Sequence, residues 1–242
     1  MHRRGANGSG PAEDLSSAAL SLARRFAGGA TMWCVAPQWP AHARHVAVEF
    51  VHPVIVGKRA LPAVSVDATG AVEAVRLLAR PDDILLVLST ADDDVATDLV
   101  ARADAWGLTS FWIGAGTRPG PGGGAARADH LVWLDDADPA VAARSGELVL
   151  LYHLLWELTH VVFEHPGLLA PEPDCADEVC VTCSDEGRVA EVRIVLQEGR
   201  VEVLADGHPE QIDGRLVDDL RPGDLVLVHA GVAVASLSGP HG

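Results

Sequence analysis

The chain has 242 residues, of which 48% are hydrophobic and 21% are charged. That length suffices for one large domain or two smaller ones, and the composition is that of a globular protein. The formal net charge is -16 at pH 7. A field of that sign repels phosphate, which excludes nucleic acid and anionic membranes as main partners.

The chain begins with a segment rich in Gly, Ser and Arg, residues 1–13, for which we predict disorder. Arg3 and Arg4 are followed by Gly, Asn, Ser and Pro rather than by an apolar run, so no signal peptide is predicted. The most apolar stretch runs from Leu148 to Phe163, and its two histidines and Glu157 make it a poor membrane span. We therefore expect a cytoplasmic protein whose four cysteines are reduced thiols.

Residues 14–165 show helical and strand patterns in alternation. Helices are expected from Asp14 or Ser16 to Gly28, and at about 41–52, 70–79, 95–106 and 139–164. Strands are expected at 30–36, 61–66, 83–88, 108–113 and 128–134. Such alternation predicts an α/β domain with a doubly wound parallel sheet. Cys34 falls in the first strand and is expected to be a core residue.

Two segments of this domain carry a family resemblance. Residues 43–51 read ARHVAVEFV, and residues 83–90 read DILLVLST before a helix. With the order of the elements, they resemble the sugar-isomerase (SIS) domain, and within it the phosphoheptose isomerase branch. In that family a His and a Glu four residues apart on one helix serve metal binding and acid–base chemistry, and loops with hydroxyl groups hold the phosphate. The resemblance implies a sugar-phosphate site at His45, Glu49, Ser89 and Thr90.

Other positions depart from the pattern of that family. Pro37-Gln-Trp39-Pro40 stands where the family has Gly-Gly-Ser, and Thr90 is followed by Ala and three Asp. Three carboxylates cap a helix well but repel a phosphate. The late Gln and His of the family fall at Gly146 and Leu154, and only a shift of register by one residue would bring His153 into place. We therefore interpret the domain as a degenerate SIS domain with a vestigial site, where His45 and Glu49 could be a hydrogen-bonded pair without a role.

Residues 166–174 hold three prolines and a glycine and are predicted to be a linker. Residues 175–242 then show short apolar runs closed by turns that contain Gly or Pro. This pattern predicts a small antiparallel β-barrel of OB-like type. Its strands are expected at 189–196, 200–204, 210–213, 215–217, 225–229 and 232–237.

Two signatures in this second domain carry another resemblance. Residues 180–187 read CVTCSDEG, and residues 222–233 read PGDLVLVHAGVA. Residues 178–237 closely resemble the HypC/HupF family, small β-barrel chaperones of nickel–iron hydrogenase assembly. In that family the cysteine carries an iron fragment, Fe(CN)2CO, on its way to the hydrogenase. The resemblance implies transient iron at Cys180, assisted by His229 and Cys183.

The thiols also fit other sites. Cys175, Cys180 and Cys183 could form a structural zinc site if His208 or His229 supplied the fourth ligand. Cys180 and Cys183 have the spacing of a redox pair, although no helix N-terminus is predicted beside them to activate a thiol. His229 could equally be a histidine at the end of a strand with no ligand role.

The residues and both resemblances predict a hydrogenase maturation factor: an iron carrier of HypC type behind a degenerate SIS domain, with no turnover of its own. The expected partners are a HypD-like scaffold protein, the hydrogenase large-subunit precursor, and a second copy of the chain bound through the SIS-like domain. The alternative is a protein that binds or isomerises a phosphosugar, sedoheptulose 7-phosphate, and uses the barrel as a partner module.

Overall fold

The computed structural model describes residues 11–135, 137–169 and 187–238. The described residues form two compact units. The first contains residues up to 101 and residues 109–169, and the second contains residues 102–108 and 187–238. Most of the expected linker, residues 166–174, lies outside the described residues. Its first residues, Pro166–Leu168, form a short 3-10 helix.

Strands alternate with helices in the first part of the chain. The strands are β1 (Met32–Val35), β2 (Ala63–Val66), β3 (Ile84–Leu88), β4 (Thr109–Gly116) and β5 (His130–Asp135). The helices are α1 (Pro11–Ala27), α2 (Pro40–Val51), α3 (Ala71–Leu78), α4 (Asp94–Ala103), α5 (Pro139–Ser145) and α6 (Glu147–Glu164).

The five strands form one parallel sheet in the order β2-β1-β3-β4-β5. This confirms the predicted α/β class with a parallel sheet. The direction of winding reverses between β1 and β3, and open parallel sheets bind ligands outside the carboxyl ends of the strands at such a switch point. The residues that follow β1 and β3 are therefore the first place to look for a site.

β3 is buried along its whole length, as its uninterrupted apolar run predicted. Leu86 joins a core that also contains side chains of α1, α2 and α6, whereas its neighbours Leu85 and Val87 are buried on the opposite face of the strand. Burial of each such side chain contributes roughly 1.5–3 kcal/mol. Cys34 of β1 has no exposed surface, which confirms it as a core residue.

Two helices differ from the predictions. α1 starts at Pro11, whose fixed φ suits a first turn, so the prediction of disorder is wrong for residues 11–13. The single helix expected over residues 139–164 is broken at Gly146, which has φ 88° and ends α5 and starts α6. Glycine adopts this left-handed conformation at little steric cost. α6 therefore has a register of its own, set from Glu147 onward.

The second unit contains β6 (Arg188–Val195), β7 (Arg200–Ala205), β8 (His208–Asp213), β9 (Leu225–His229) and β10 (Val232–Ser236). Antiparallel pairs join β8 to β7, β7 to β6, β6 to β9 and β9 to β10. A single parallel pair between β10 and β8 closes the sheet on itself. The predicted second, antiparallel sheet is confirmed, and its assignment to an OB-like barrel domain stays a prediction.

Two details of this unit bear on the sequence predictions. Residues 215–217, expected as a strand, form a turn instead. In β9, Val226 and Val228 belong to the core of the unit, whereas Leu227 and His229 are half-buried. Across the described residues, no helix is long and apolar enough to cross a membrane.

Candidate functional site

α2 presents two of the predicted site residues on one face. It follows β1 directly and has a proline in its first turn, a position that proline favours. Val46 and Phe50 are buried against the core, and this places His45 and Glu49 at the edge of the buried face, 38% and 22% exposed. Residues four apart on a helix are neighbours, and Nε2 of His45 lies 3.2 Å from Oε1 of Glu49.

α6 packs against α2 and adds a third side chain to this pair. The indole N–H of Trp156 donates to the backbone carbonyl of Glu49 at 3.0 Å, which ties the two helices together next to the site. Nε2 of His153 lies 3.4 Å from Nε2 of His45 and 3.7 Å from Oε1 of Glu49. Within the described ranges, this is the one group of three His, Cys, Asp or Glu side chains whose ligand atoms all lie within 4.8 Å of one another.

The three side chains suit a divalent transition metal. Two imidazole nitrogens and one carboxylate oxygen are ligands that zinc accepts. Without a proton or a cation among them, the lone pairs of these three atoms at 3.2–3.7 Å would repel one another. His153 is 43% exposed, so a ligand can reach the cluster from solvent. Three protein ligands leave a coordination position open, which is typical of catalytic rather than structural zinc sites.

A second layer of contacts holds His45. The hydroxyl oxygen of Tyr152 lies 2.8 Å from Nδ1 of His45 and 3.3 Å from Nδ1 of His42. The other ring nitrogen of His42, Nε2, lies 2.8 Å from the carbonyl oxygen of Ala143. Burial raises the pKa of Tyr152 to about 12, and the charge of Glu49 acts in the same direction. The phenol therefore keeps its proton near neutral pH.

The sequence analysis missed both members of this layer. His42 precedes His45 by three residues, a spacing that places both on one helical face. Tyr152 is the only tyrosine of the chain and directly precedes His153. These signals could have suggested a polar cluster, although the packing of α6 on α2 decides which groups meet.

Ser89 lies at the carboxyl end of β3 and is fully buried. Its hydroxyl donates to Oδ2 of Asp93 at 2.9 Å, and Oδ1 of Asp93 accepts from the N–H of Ala96 at 2.9 Å. The carboxylate of Asp93 thus accepts from an N–H group of the first turn of α4 and from the Ser89 hydroxyl, which are donors that an external anion would otherwise use. Ser89 is therefore not arranged to bind a phosphate.

Thr90 and Gln38 meet at the switch point of the sheet. Gln38 follows β1 and Thr90 follows β3, and the amide N–H of Gln38 donates to the hydroxyl oxygen of Thr90 at 3.0 Å. A hydrogen bond from Thr90 lowers the pKa of Asp92 below its usual value. This end of the sheet offers two neutral polar side chains beside an ionised carboxylate.

The predicted iron ligands Cys180 and Cys183 lie outside the described residues, as does Cys175. His229 is described and stands half-buried at the end of β9. It belongs to no group of three potential metal ligands among the residues that the structure describes.

No family model matches the chain. A phosphoheptose isomerase from Desulfovibrio desulfuricans is 31% identical over 176 residues, which cover 65% of this chain and 81% of that protein. The solved structure of a phosphoheptose isomerase from Francisella tularensis aligns with a TM-score of 0.50 at 19% identity, covering 64% of this chain and 88% of that one. The structural similarity supports an SIS-like fold for the first domain.

These similarities correct the predicted function. The prediction of a hydrogenase maturation factor without catalytic activity is wrong, because the 31% identical relative is named an isomerase. Neither relative shows the HypC/HupF resemblance of the second domain, whereas the predicted SIS-like first domain is confirmed. At this level of identity and coverage, the chain belongs to the phosphoheptose isomerase family.

Proposed function

We propose that this protein is an aldose–ketose isomerase that acts on a phosphosugar, with sedoheptulose 7-phosphate as its ketose substrate. The observation that carries the proposal is the cluster of His45, Glu49 and His153, which joins two helices at a solvent-accessible position. The name of the 31% identical relative supports the substrate class. The phosphosugar alternative thus replaces the chaperone interpretation.

The reaction defines what the cluster must do. A proton leaves C1 of the ketose and returns to C2, and a second proton moves between the two oxygens, so the atoms balance without any other reactant. This needs a base within hydrogen-bond reach of the carbon acid and an acid that serves the oxygens. Oε1 of Glu49 faces the histidines, which leaves Oε2 as the proposed base. Nδ1 of His153, the most exposed member, is proposed to exchange protons with the oxygens, because Nε2 of the same ring faces the cluster.

His45, Glu49 and His153 would hold a divalent metal, for which we propose zinc, through Nε2, Oε1 and Nε2. When bound, such an ion would polarise the oxygens at C1 and C2 of the sugar. His45 has no acid–base role in this proposal, since Tyr152 occupies its other nitrogen.

We propose that the sugar lies along the switch point, where Gln38 and Thr90 hydrogen-bond its hydroxyl groups. Ser89 is left out of this role because its hydroxyl is bound to Asp93. The carboxylates that follow Thr90 disfavour a dianion at the N-terminus of α4. The phosphate is therefore expected to bind away from that helix end.

The test uses the full chain, depleted of metal and reloaded with zinc, with sedoheptulose 7-phosphate in deuterated water. We expect conversion to the aldose with deuterium at C2, detected by proton NMR. Glu49→Gln and His153→Ala should lower kcat by about 10²–10⁴-fold, the usual contribution of a positioned acid or base. His165→Asn changes an exposed histidine just beyond α6 and should retain full activity.

Two results would refute the proposal. One is a wild-type protein that converts no phosphosugar although it binds zinc. The other is a Glu49→Gln variant with the kcat of the wild type. Unphosphorylated sedoheptulose provides the comparison that shows how far the phosphate contributes to kcat/KM.

A further inference from the structure

We infer that a relay of hydrogen bonds from the carbonyl of Ala143 through His42 and Tyr152 fixes the tautomer of His45, so that Nε2 of His45 presents its lone pair to the metal. The inference rests on the proposed metal centre. It adds two positioning residues, His42 and Tyr152, which act through His45 and need not touch substrate.

The relay is continuous. Nε2 of His42 lies 2.8 Å from the carbonyl oxygen of Ala143, and Nδ1 of His42 lies 3.3 Å from the hydroxyl oxygen of Tyr152. That oxygen lies 2.8 Å from Nδ1 of His45. The remaining nitrogen of His45, Nε2, faces Glu49 at 3.2 Å. Each of the three side chains therefore contacts one polar group on either side.

The carbonyl sets the direction of every proton in the relay. A carbonyl oxygen only accepts, so Nε2 of His42 must carry the hydrogen. A neutral imidazole has one N–H, hence Nδ1 of His42 accepts, and Tyr152 donates to it. The oxygen of Tyr152 has then used its hydrogen, and it accepts from Nδ1 of His45. Nε2 of His45 is left with the lone pair.

Without a metal, the opposite direction would let Nε2 of His45 donate to Oε1 of Glu49 at 3.2 Å. A metal on Nε2 removes that donor, and the opposite direction then leaves the Ala143 end of the relay unsatisfied. If Tyr152 donated to His45, Nδ1 of a neutral His42 would carry the hydrogen, and its Nε2 lone pair would face the carbonyl of Ala143 at 2.8 Å.

Packing keeps the relay in place. Tyr152 is only 1% exposed, so water does not compete for its hydroxyl. The rings of His42 and His45 both stand edge-on to the Tyr152 ring, with centroid distances of 5.9 and 5.3 Å. Partners on the second nitrogen of a metal-binding histidine fix its tautomer and orientation, and their loss typically costs 10–100-fold in metal affinity.

The first test reads the tautomers directly. The full chain, loaded with zinc and labelled with ¹⁵N in histidine, is studied by long-range proton–nitrogen NMR at about pH 8, above the ordinary histidine pKa of about 6.5. We expect His42 to carry its proton on Nε2 and His45 on Nδ1. A proton on Nδ1 of neutral His42 would overturn the inference, and this test requires no variant to fold.

The second test measures zinc affinity by competition with a chromophoric chelator. Tyr152→Phe and His42→Leu should each weaken binding by about 10–100-fold. His42→Asn keeps an acceptor near the position of Nδ1 and should lose less than His42→Leu, while His165→Asn should bind like the wild type. Circular dichroism is used to check that each variant is folded.

The outcomes separate the two proposals. Wild-type affinity in both folded Tyr152→Phe and His42→Leu would overturn the relay and leave the metal centre intact. A wild-type protein that does not bind zinc would overturn the metal centre itself, and the inference with it.

Discussion

The strongest stability prediction concerns Gly114, which pairs with Trp133 across β4 and β5. A Cβ atom at Gly114 would lie 2.1 Å from Cζ3 of the Trp133 ring and 2.7 Å from the backbone carbonyl oxygen of Ser89. Trp133 is 1% exposed, and its indole N–H donates to the carbonyl of Gly116 at 2.9 Å. The ring cannot move aside without losing that bond. The second obstacle, the carbonyl of Ser89, is part of the backbone just after β3.

The size of the effect follows from these contacts. An added methyl group in a well-packed core costs about 1–3 kcal/mol. The upper end applies to Gly114→Ala because one of the two obstacles is backbone. The carbonyl of Ser89 also accepts from the indole of Trp112 at 3.2 Å, and loss of that bond adds about 1 kcal/mol. We expect Gly114→Ala to lower the free energy of unfolding by about 3–4 kcal/mol in total.

The assay is urea unfolding followed by tryptophan fluorescence. The six tryptophans lie between residues 33 and 156, so the signal mainly reports the first unit. Gly120→Ala is the matched control, because its Cβ would meet nothing within 4 Å, and we expect a change within about 0.5 kcal/mol. Equal stability losses in the two variants, or a loss below about 1 kcal/mol for Gly114→Ala, would refute the packing argument.

Three further predictions concern other parts of the chain. Burial raises the pKa of the Cys34 thiol, so the thiol should not react in the native protein. Peptide mapping at about pH 8 should show Cys34 alkylated by iodoacetamide only after unfolding. Labelling of the native protein would contradict the burial of Cys34. Hydrogen bonds from Arg215 lower the pKa of Asp213 to about 2. This stabilisation is present above the ordinary Asp pKa of about 3.9 and is lost as pH falls through 2. Arg215→Met should therefore raise the NMR titration midpoint of Asp213 but leave it below about 3.9, because the backbone N–H of residue 215 still donates to Asp213. Asp138 accepts from two N–H groups of the first turn of α5, so Asp138→Ala should cost about 1 kcal/mol in urea unfolding, and Asp138→Asn much less.

The sheet was largely predictable, because its strands carry their own signal. The run from Ile84 to Leu88 contains only Ile, Leu and Val. Since it has no polar residue, it cannot form a helix with one face exposed to solvent, and it fits a strand buried on both faces. The order of the strands could not be predicted in the same way. It depends on how the helices cover both faces, which no local pattern of residues records.

The site was half predicted. The family resemblance pointed to His45 and Glu49, and a helix converts their spacing of four residues directly into proximity. His153 was reached only by allowing a shift of register by one residue, because the packing of α6 on α2 decides which side chains meet and cannot be read from the sequence. The carboxylate of Asp93 was expected to cap the helix that follows, and it accepts from the N–H of Ala96, whereas its bond with the hydroxyl of Ser89 was not predicted.

The order of two residues on α6 has a mechanical consequence. Tyr152 and His153 are consecutive, so their side chains leave the helix about 100° apart, and they reach opposite nitrogens of the same imidazole. Side chains of α6 thus contact both ring nitrogens of His45. A rotation of α6, or a slide along α2, would disturb both contacts together, so that neither edge of the ring could be released alone. The zinc affinity of the protein would then report how stably α6 packs against α2.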